Sequence, residues 1–150
     1  MRVTRFATAT LLAASLLLFL DLFLDWHRTG IDLPTVSVHA GSMGWNGWGI
    51  AAGLTVVALV AWEASQLREA AMQQGDLLVS AVLGVLVAGF TLGAFFGDTR
   101  VGVGPMHVDV TGRLWPAYVG VVLALAVAAS ALVRLVEDVL GHPGRAAPTV

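Results

Sequence analysis

One apolar stretch near the N-terminus, Phe6–Leu24, constrains the fold of this chain more than any other feature. It contains 19 residues, and apart from hydroxyl side chains its one polar residue is Asp21. A helix of this length rises about 28 Å, which is close to the thickness of the hydrocarbon core of a bilayer. The stretch therefore predicts a helix that crosses a membrane.

A cleaved signal peptide is the alternative for this stretch, because basic residues precede it. The apolar part of a signal peptide is usually about 7–15 residues long, and a small-residue cleavage site follows it. This stretch is longer, and the sequence that follows it, DWHR, contains no such site. We therefore expect an uncleaved membrane anchor.

The composition excludes several classes of function. Hydrophobic residues make up 57% of the chain and charged residues 12%, against about 25% charged in soluble proteins. The net charge of −2 and the absence of a basic cluster argue against a nucleic acid as partner. The chain has no cysteine, which excludes thiolate catalysis and cysteine-ligated zinc. We expect no cofactor.

Three further apolar blocks predict an all-α membrane protein, an up-down bundle of four transmembrane helices in one domain over residues 1–139. The predicted helices span about residues 6–24, 48–74, 77–96 and 115–137. Gly75 is a natural helix stop, Asp76 caps the third helix, and Pro116 suits the first turn of the fourth. We expect residues 140–150 to form a disordered cytoplasmic tail.

The arginines predict the orientation of the bundle. With the N-terminus in the cytoplasm, five arginines lie inside and three lie outside, namely Arg28, Arg100 and Arg113. The lysine-free, alanine- and valine-rich usage is typical of bacterial genomes rich in G and C. The prediction is a multi-pass protein of the bacterial plasma membrane with both termini cytoplasmic and the lipid bilayer around it.

The segments between helices one and two and between helices three and four lie on the outer side in this topology. Trp26, Trp48 and Trp115 then fall at the outer interface, which predicts an aromatic belt, with an aromatic ligand-binding ring as the alternative. Both segments also carry valines at every second position, which predicts short strands that pair into a small outer sheet.

Small residues predict how the helices pack, because close approach in lipid depends on them. The bulky outer half of helix one is expected to fill the space that glycines leave on the other three helices. These glycines are Gly49, Gly53, Gly89, Gly93, Gly97 and Gly120.

Few ionisable residues lie within the predicted spans. Asp21 lies one turn before Asp25 on the same predicted helix face. Arg113 is the expected partner of Asp21, with Arg28 and Arg100 as alternatives. A structural role for Asp21 is the main interpretation, with a proton-coupled or ligand-contacting role as the alternative. Glu63, beside Trp62 at the inner boundary, is expected to be a solvated residue at a helix end.

The outer segments also contain residue types that bind zinc or copper without cysteine. No pair of them has a helical ligand spacing, so we assign no metal site, and the candidates are weak: His27, His39, His107 and Asp109. The chain contains no G-x-S-x-G motif, and we expect no enzyme activity.

The runs LFLDLFLDWHR, GWNGWGI and LWPAYVGVVLALA resemble a group of small four-helix membrane proteins of actinobacteria. The resemblance implies the four-helix topology, and it implies no activity because the group has none assigned. The resulting hypothesis is a non-enzymatic accessory, assembly or scaffold component that engages a membrane-protein partner, or a second copy of itself, through its outer face. The alternatives are an oligomeric small transporter or channel with Asp21 near its route, or an outer-face ligand or metal binder.

Overall fold

The structure is a computed structural model that describes residues 2–33, 36–66, 74–97, 101–103, 106–108 and 112–141. In these ranges the chain is mostly helical. The helices are α1 (Arg2–Asp21), α2 (Trp48–Gln66), α3 (Gln74–Phe96) and α4 (Trp115–Gly141). The strands are β1 (Asp25–Leu33), β2 (Val36–Met43), β3 (Val101–Val103), β4 (Met106–Val108) and β5 (Gly112–Arg113).

Four helix limits differ from those that the sequence predicts. Helix α1 begins at Arg2 instead of Phe6, and α3 begins at Gln74 instead of Leu77. Gly75 and Asp76 therefore lie inside the first turn of α3, so the predictions that Gly75 stops a helix and that Asp76 caps α3 are wrong.

Helix α1 ends at Asp21 instead of Leu24, because the backbone tightens there: the amide of Leu24 donates to the carbonyl of Asp21 at 3.0 Å. Helix α4 continues past the predicted end near Glu137 to Gly141. The predicted extension of α2 over residues 67–73, and the tail from residue 142 onward, lie outside the described residues.

Three of the described helical segments are long and apolar enough to cross a membrane. They are Trp48–Gln66, Asp76–Phe96 and Trp115–Leu140, whereas α1 contributes the shorter apolar helix Phe6–Asp21. The N-terminal stretch, which constrains the fold most, thus forms the shortest apolar helix of the described chain. Its shortening follows from the turn at Leu22–Leu24, which directs the chain into β1.

The helices pack around one apolar core. Helix α4 lies against α1 and α3, and α2 lies against α3 and, over a smaller area, α1. The core contains residues of all four described helices, including Leu18, Leu59, Val87 and Val127. The opposite helix faces are equally apolar and are exposed, as at Leu16, Leu54, Leu86 and Val122. Such faces are unfavourable in water and are suited to a hydrocarbon surrounding.

The strands form a three-stranded sheet with the order β2-β1-β5 and a separate two-stranded sheet of β3 and β4. Strands β1 and β2 pair antiparallel along their length, and β5 joins the other edge of β1. The predicted strands therefore occur in both connecting segments. The valine-bearing strands pair within their own segments, however, as in Val38 with Ile31 and Val101 with Val108. The segments meet instead through β1 and β5.

The contacts define two ends of the helix bundle. At the first, called the Trp26 end, the end of α1 meets the end of α3 and the start of α4 around Leu22, Trp26, Ala94 and Ala117. At the second, called the Glu63 end, α2, α3 and α4 meet through polar side chains of Glu63, Ser80 and Arg134.

Candidate functional site: a tryptophan-closed bundle end and a buried ion pair

Trp26 is fully buried at the end of the bundle that carries the sheet. Its indole Nε1 donates to the backbone carbonyl of Asp21 at 3.1 Å, which closes the turn after α1. The ring lies so close to Gly44 that a Cβ there would come within 2.8 Å of Nε1. A Cβ at Gly120 would overlap the ring and lie 2.7 Å from Asp21 Oδ2. Trp26 is therefore a core residue, and the prediction that it belongs to the aromatic belt is wrong.

Three backbone hydrogen bonds attach the segments before α2 and α4 to the chain around Trp26. The carbonyl of Trp26 accepts from the amide of Leu114, just before α4, at 2.8 Å. The amides of Gly44 and Trp45, just before α2, donate to the carbonyls of Leu24 and Leu22 at 3.1 and 3.2 Å. We call Trp26 and these contacts the Trp26 cluster. It fixes the sheet to the helices at several points.

Two further tryptophans occupy space beside glycines. A Cβ at Gly53 would overlap the ring of Trp45, which also contacts the ring of Phe19 with centroids 5.6 Å apart. A Cβ at Gly93 would come within 3.2 Å of Trp48, whose ring stacks on Phe90. The glycine faces therefore accommodate indole rings instead of the bulky half of helix one. Trp48 and Trp115 are both largely exposed.

The remaining predicted packing glycines have different surroundings. Gly49 lies against the backbone carbonyl of Gly44, and a Cβ at Gly97 would come within 2.7 Å of the carbonyl of Gly93. A Cβ at Gly89 would meet nothing within 4 Å, so Gly89 makes no close approach. Gly84 does: a Cβ there would lie 3.0 Å from the Cβ of Ala131, where α3 crosses α4. Gly84 is not among the glycines that the sequence predicts to pack.

The expected pairing of Asp21 with Arg113 is wrong. Asp21 is buried against Gly120, and its Oδ2 has no hydrogen-bond partner in the described chain. Arg113 lies on the surface in β5 and donates from Nε to the carbonyl of Phe95 at 2.7 Å. Asp25 is exposed and begins β1, so it does not share a helix face with Asp21 as predicted. Both differences follow from the early end of α1.

His27 lies in β1 directly opposite Ser42 on one side and Arg113 on the other. It is buried, and neither its Nε2 nor the Ser42 hydroxyl has a hydrogen-bond partner among the described residues. Burial, and secondarily the positive charge of Arg113, lowers the pKa of His27 below its usual value of 6.5. His27 is therefore mostly neutral at pH 7.

The other weak metal candidates do not form one group with His27. His39 lies in β2 and His107 in β4, which belong to different sheets, and Asp109 lies outside the described residues. In the part of the chain that the structure describes, no three histidine or acidic residues are grouped so as to hold a metal ion.

At the other end of the bundle, a salt bridge is enclosed between α2 and α4. Arg134 Nη1 lies 2.8 Å from Glu63 Oε1, and both side chains are 2% exposed. The hydroxyl of Ser80 in α3 donates to the same Oε1 at 2.6 Å. The expectation that Glu63 is a solvated residue at a helix end is wrong. These three residues are called the Glu63 cluster.

The Glu63 cluster lies near one boundary of the predicted hydrocarbon layer. Glu63 follows Trp48 by 15 residues and Arg134 follows Trp115 by 19, which correspond to about 22 and 28 Å of helix. Apolar residues remain exposed beyond it on α4, as at Val136 and Leu140. Exposed apolar residues therefore continue past the level of the ion pair on α4.

Helical spacing is the signal that places these charges inside. Glu63 follows the core residues Val56 and Leu59 by seven and four positions, and Arg134 follows Val127 and Ala131 by seven and three. Both therefore lie on the core face of their helices. Proximity to a helix end suggests a solvated residue. Glu63 and Arg134 are buried nevertheless, because they lie on the helix faces that point into the core.

Comparison of the chain with family models, with curated proteins and with solved structures gives no match.

Proposed function

We propose that this protein is a four-span integral membrane protein with an up-down bundle, which presents its β1-β2-β5 sheet at the outer membrane face as a docking platform for another membrane protein. It works as an accessory, assembly or scaffold component and carries out no reaction of its own. The observation that supports this most is the Trp26 cluster, because it attaches the sheet to the helices through several hydrogen bonds.

The length of the first connection supports a platform. Residues 22–47 join α1 to α2, although helix–helix connections in bundles are usually about 2–8 residues long. Most of the extra length forms the β1-β2 hairpin, whose strands have nine and eight residues. A connection with no further role does not need a paired hairpin, and longer ordered connections are usually functional.

The contacts of the helix ends support the up-down arrangement. The end of α1, the end of α3 and the start of α4 share the Trp26 end, while α2, α3 and α4 share the Glu63 cluster further along. Antiparallel neighbours produce this alternation. The exposed apolar faces between the two ends support a lipid surrounding.

Site-specific photocrosslinking in native membranes tests the platform. A benzophenone amino acid is placed at Met43, which is 56% exposed at the end of β2, and as a control at Val122, which is 65% exposed in the first third of α4. We expect a protein adduct from position 43 and lipid adducts alone from position 122. An adduct of twice the 15.6 kDa chain mass would identify the partner as a second copy. No protein adduct at position 43 would contradict the proposal.

The Glu63 cluster favours a second candidate, an oligomeric small transporter or channel. Ionisable residues enclosed within a membrane bundle often mark an ion or proton pathway. Reconstitution of the protein into liposomes with an internal pH dye tests this candidate. Proton or ion flux that is lost in Glu63→Gln would support transport, and the absence of flux above protein-free liposomes would reject it.

A further inference from the structure

Arg113 is held in a fixed position at the Trp26 end, just before α4 begins. Its Nε donates to the backbone carbonyl of Phe95 in α3 at 2.7 Å. Its guanidinium carbon lies 4.7 Å from the centroid of the Phe95 ring and 5.8 Å from that of Phe96. One hydrogen bond and two ring contacts therefore orient the planar guanidinium group on the surface of α3.

The charge of this guanidinium is not neutralised by the described residues. The side chain is exposed, and within the described ranges no carboxylate forms an ion pair with Arg113. His27, which pairs with Arg113 across the sheet, is mostly neutral at pH 7 and carries no negative charge. With Nε bound to Phe95, the two terminal nitrogens keep their N–H groups for an external acceptor.

Exposed aromatic side chains surround this position. Phe96 and Trp115 are each 68% exposed, and Tyr118, whose ring contacts Phe95, is also exposed. Tryptophan and tyrosine favour the headgroup level of a bilayer, where the ring is sheltered and the polar atom stays hydrated. These residues therefore place the Arg113 guanidinium at the depth of lipid phosphate groups.

We propose that Arg113 binds the phosphate group of an anionic phospholipid in the leaflet that contacts the Trp26 end. The planar fork of an arginine matches two oxygens of a phosphate, and the orientation imposed by Phe95 reduces the ordering that binding requires. The flanking aromatic rings cover the upper acyl chains. The inference rests on the proposed membrane topology, because a phospholipid reaches Arg113 only if this end lies at a membrane interface.

Native mass spectrometry of the detergent-solubilised protein tests the proposal, with lipid retention measured against added phosphatidylglycerol, phosphatidylcholine or inorganic phosphate. We expect the protein to retain one phosphatidylglycerol preferentially. Arg113→Gln should weaken this retention about tenfold, since hydrogen bonds to charged groups are the stronger ones. Arg113→Lys should weaken it less, because it keeps the charge and loses the fork. Arg28→Gln, which removes an exposed arginine from the neighbouring strand β1, is the matched control and should have little effect.

Three outcomes would overturn the lipid site. The first is equal retention of phosphatidylglycerol and phosphatidylcholine. The second is that Arg113→Gln and Arg28→Gln weaken lipid retention equally. The third is saturation of the site by inorganic phosphate alone, which would assign it to a soluble phosphate. Unchanged thermal unfolding of Arg113→Gln in lipid-free detergent shows that the variant is folded. Loss of lipid selectivity with intact crosslinking at Met43 overturns this inference alone, whereas release of the chain from membranes by alkaline extraction overturns the proposed function.

Discussion

Glycines pack against the indole ring at the Trp26 end because glycine lacks a Cβ, which would overlap the ring. Gly44 and Gly120 both contact the Trp26 ring, and neither accommodates a Cβ without displacement of the ring. The sequence predicts that Gly120 packs against a neighbouring helix, and it does not predict the contact of either glycine with Trp26. The reason is that a ring from a connecting segment cannot be foreseen from the spacing within a helix.

Gly120→Ala should destabilise the protein by about 1–3 kcal/mol, because the added Cβ forces Trp26 and Asp21 to move. Gly89→Ala is the matched control in the neighbouring helix α3, since a Cβ there meets nothing within 4 Å. That change should be neutral or stabilising by up to about 1 kcal/mol, because alanine has a higher helix propensity than glycine in a helix interior. Thermal unfolding in detergent measures both. Equal effects of the two variants would show that the glycine–tryptophan fit does not determine stability.

His27 makes the stability of the sheet end depend on pH. Its pKa is lowered in the folded protein by burial and by Arg113, so the unfolded chain binds a proton at a pH where the folded protein does not. The free energy of unfolding should therefore fall as the pH decreases below about 6.5, the unfolded value. His27→Gln should lose this part of the dependence, as measured by thermal unfolding between about pH 5 and pH 7.5. The same slope in both proteins would contradict the assignment.

The helices themselves are the part of the fold that the sequence predicts most closely. Helices α2 and α4 begin at Trp48 and Trp115, and α3 ends at Phe96, the residues at which the sequence places these limits. Local signals suffice there, since each limit is a change from a polar, glycine-rich segment to an apolar run. The end of α1 is not determined by local sequence signals, because hydrogen bonds from Trp26 and from the backbone before α2 fix the turn at Leu22–Leu24.

The Glu63 cluster connects three helices, and its energetics follow from burial. Removal of one partner of a buried ion pair leaves a charge without compensation and costs about 3–5 kcal/mol. We expect this loss for each single variant, Glu63→Leu and Arg134→Met, while the double variant with both changes should recover most of it, because apolar residues of similar volume often replace a buried pair without loss. Thermal unfolding of the wild type, both single variants and the double variant measures the coupling. Additive effects would show that the two side chains act independently.

Each end of the bundle is closed by a different interaction, and the surface between them is apolar. At the Trp26 end, ring packing and backbone hydrogen bonds attach a sheet; at the Glu63 end, an ion pair fixes which helices meet. Composition predicts the apolar surface and therefore the class of protein. It does not predict the two closures, because each depends on contacts between segments far apart in the chain.

The arginines predict the orientation of the proposed bundle, and this prediction has a direct test. Five arginines against three favour a cytoplasmic N-terminus, and we therefore expect the sheet to face outward. The chain has no cysteine, and an introduced one is therefore a unique label site. In intact cells, Met43→Cys, exposed at the end of β2, should react with an impermeant maleimide, whereas Thr149→Cys should react only after the membrane is permeabilised. Labelling of position 149 alone in intact cells would reverse the topology and place the proposed platform, together with the Arg113 lipid site, at the cytoplasmic face.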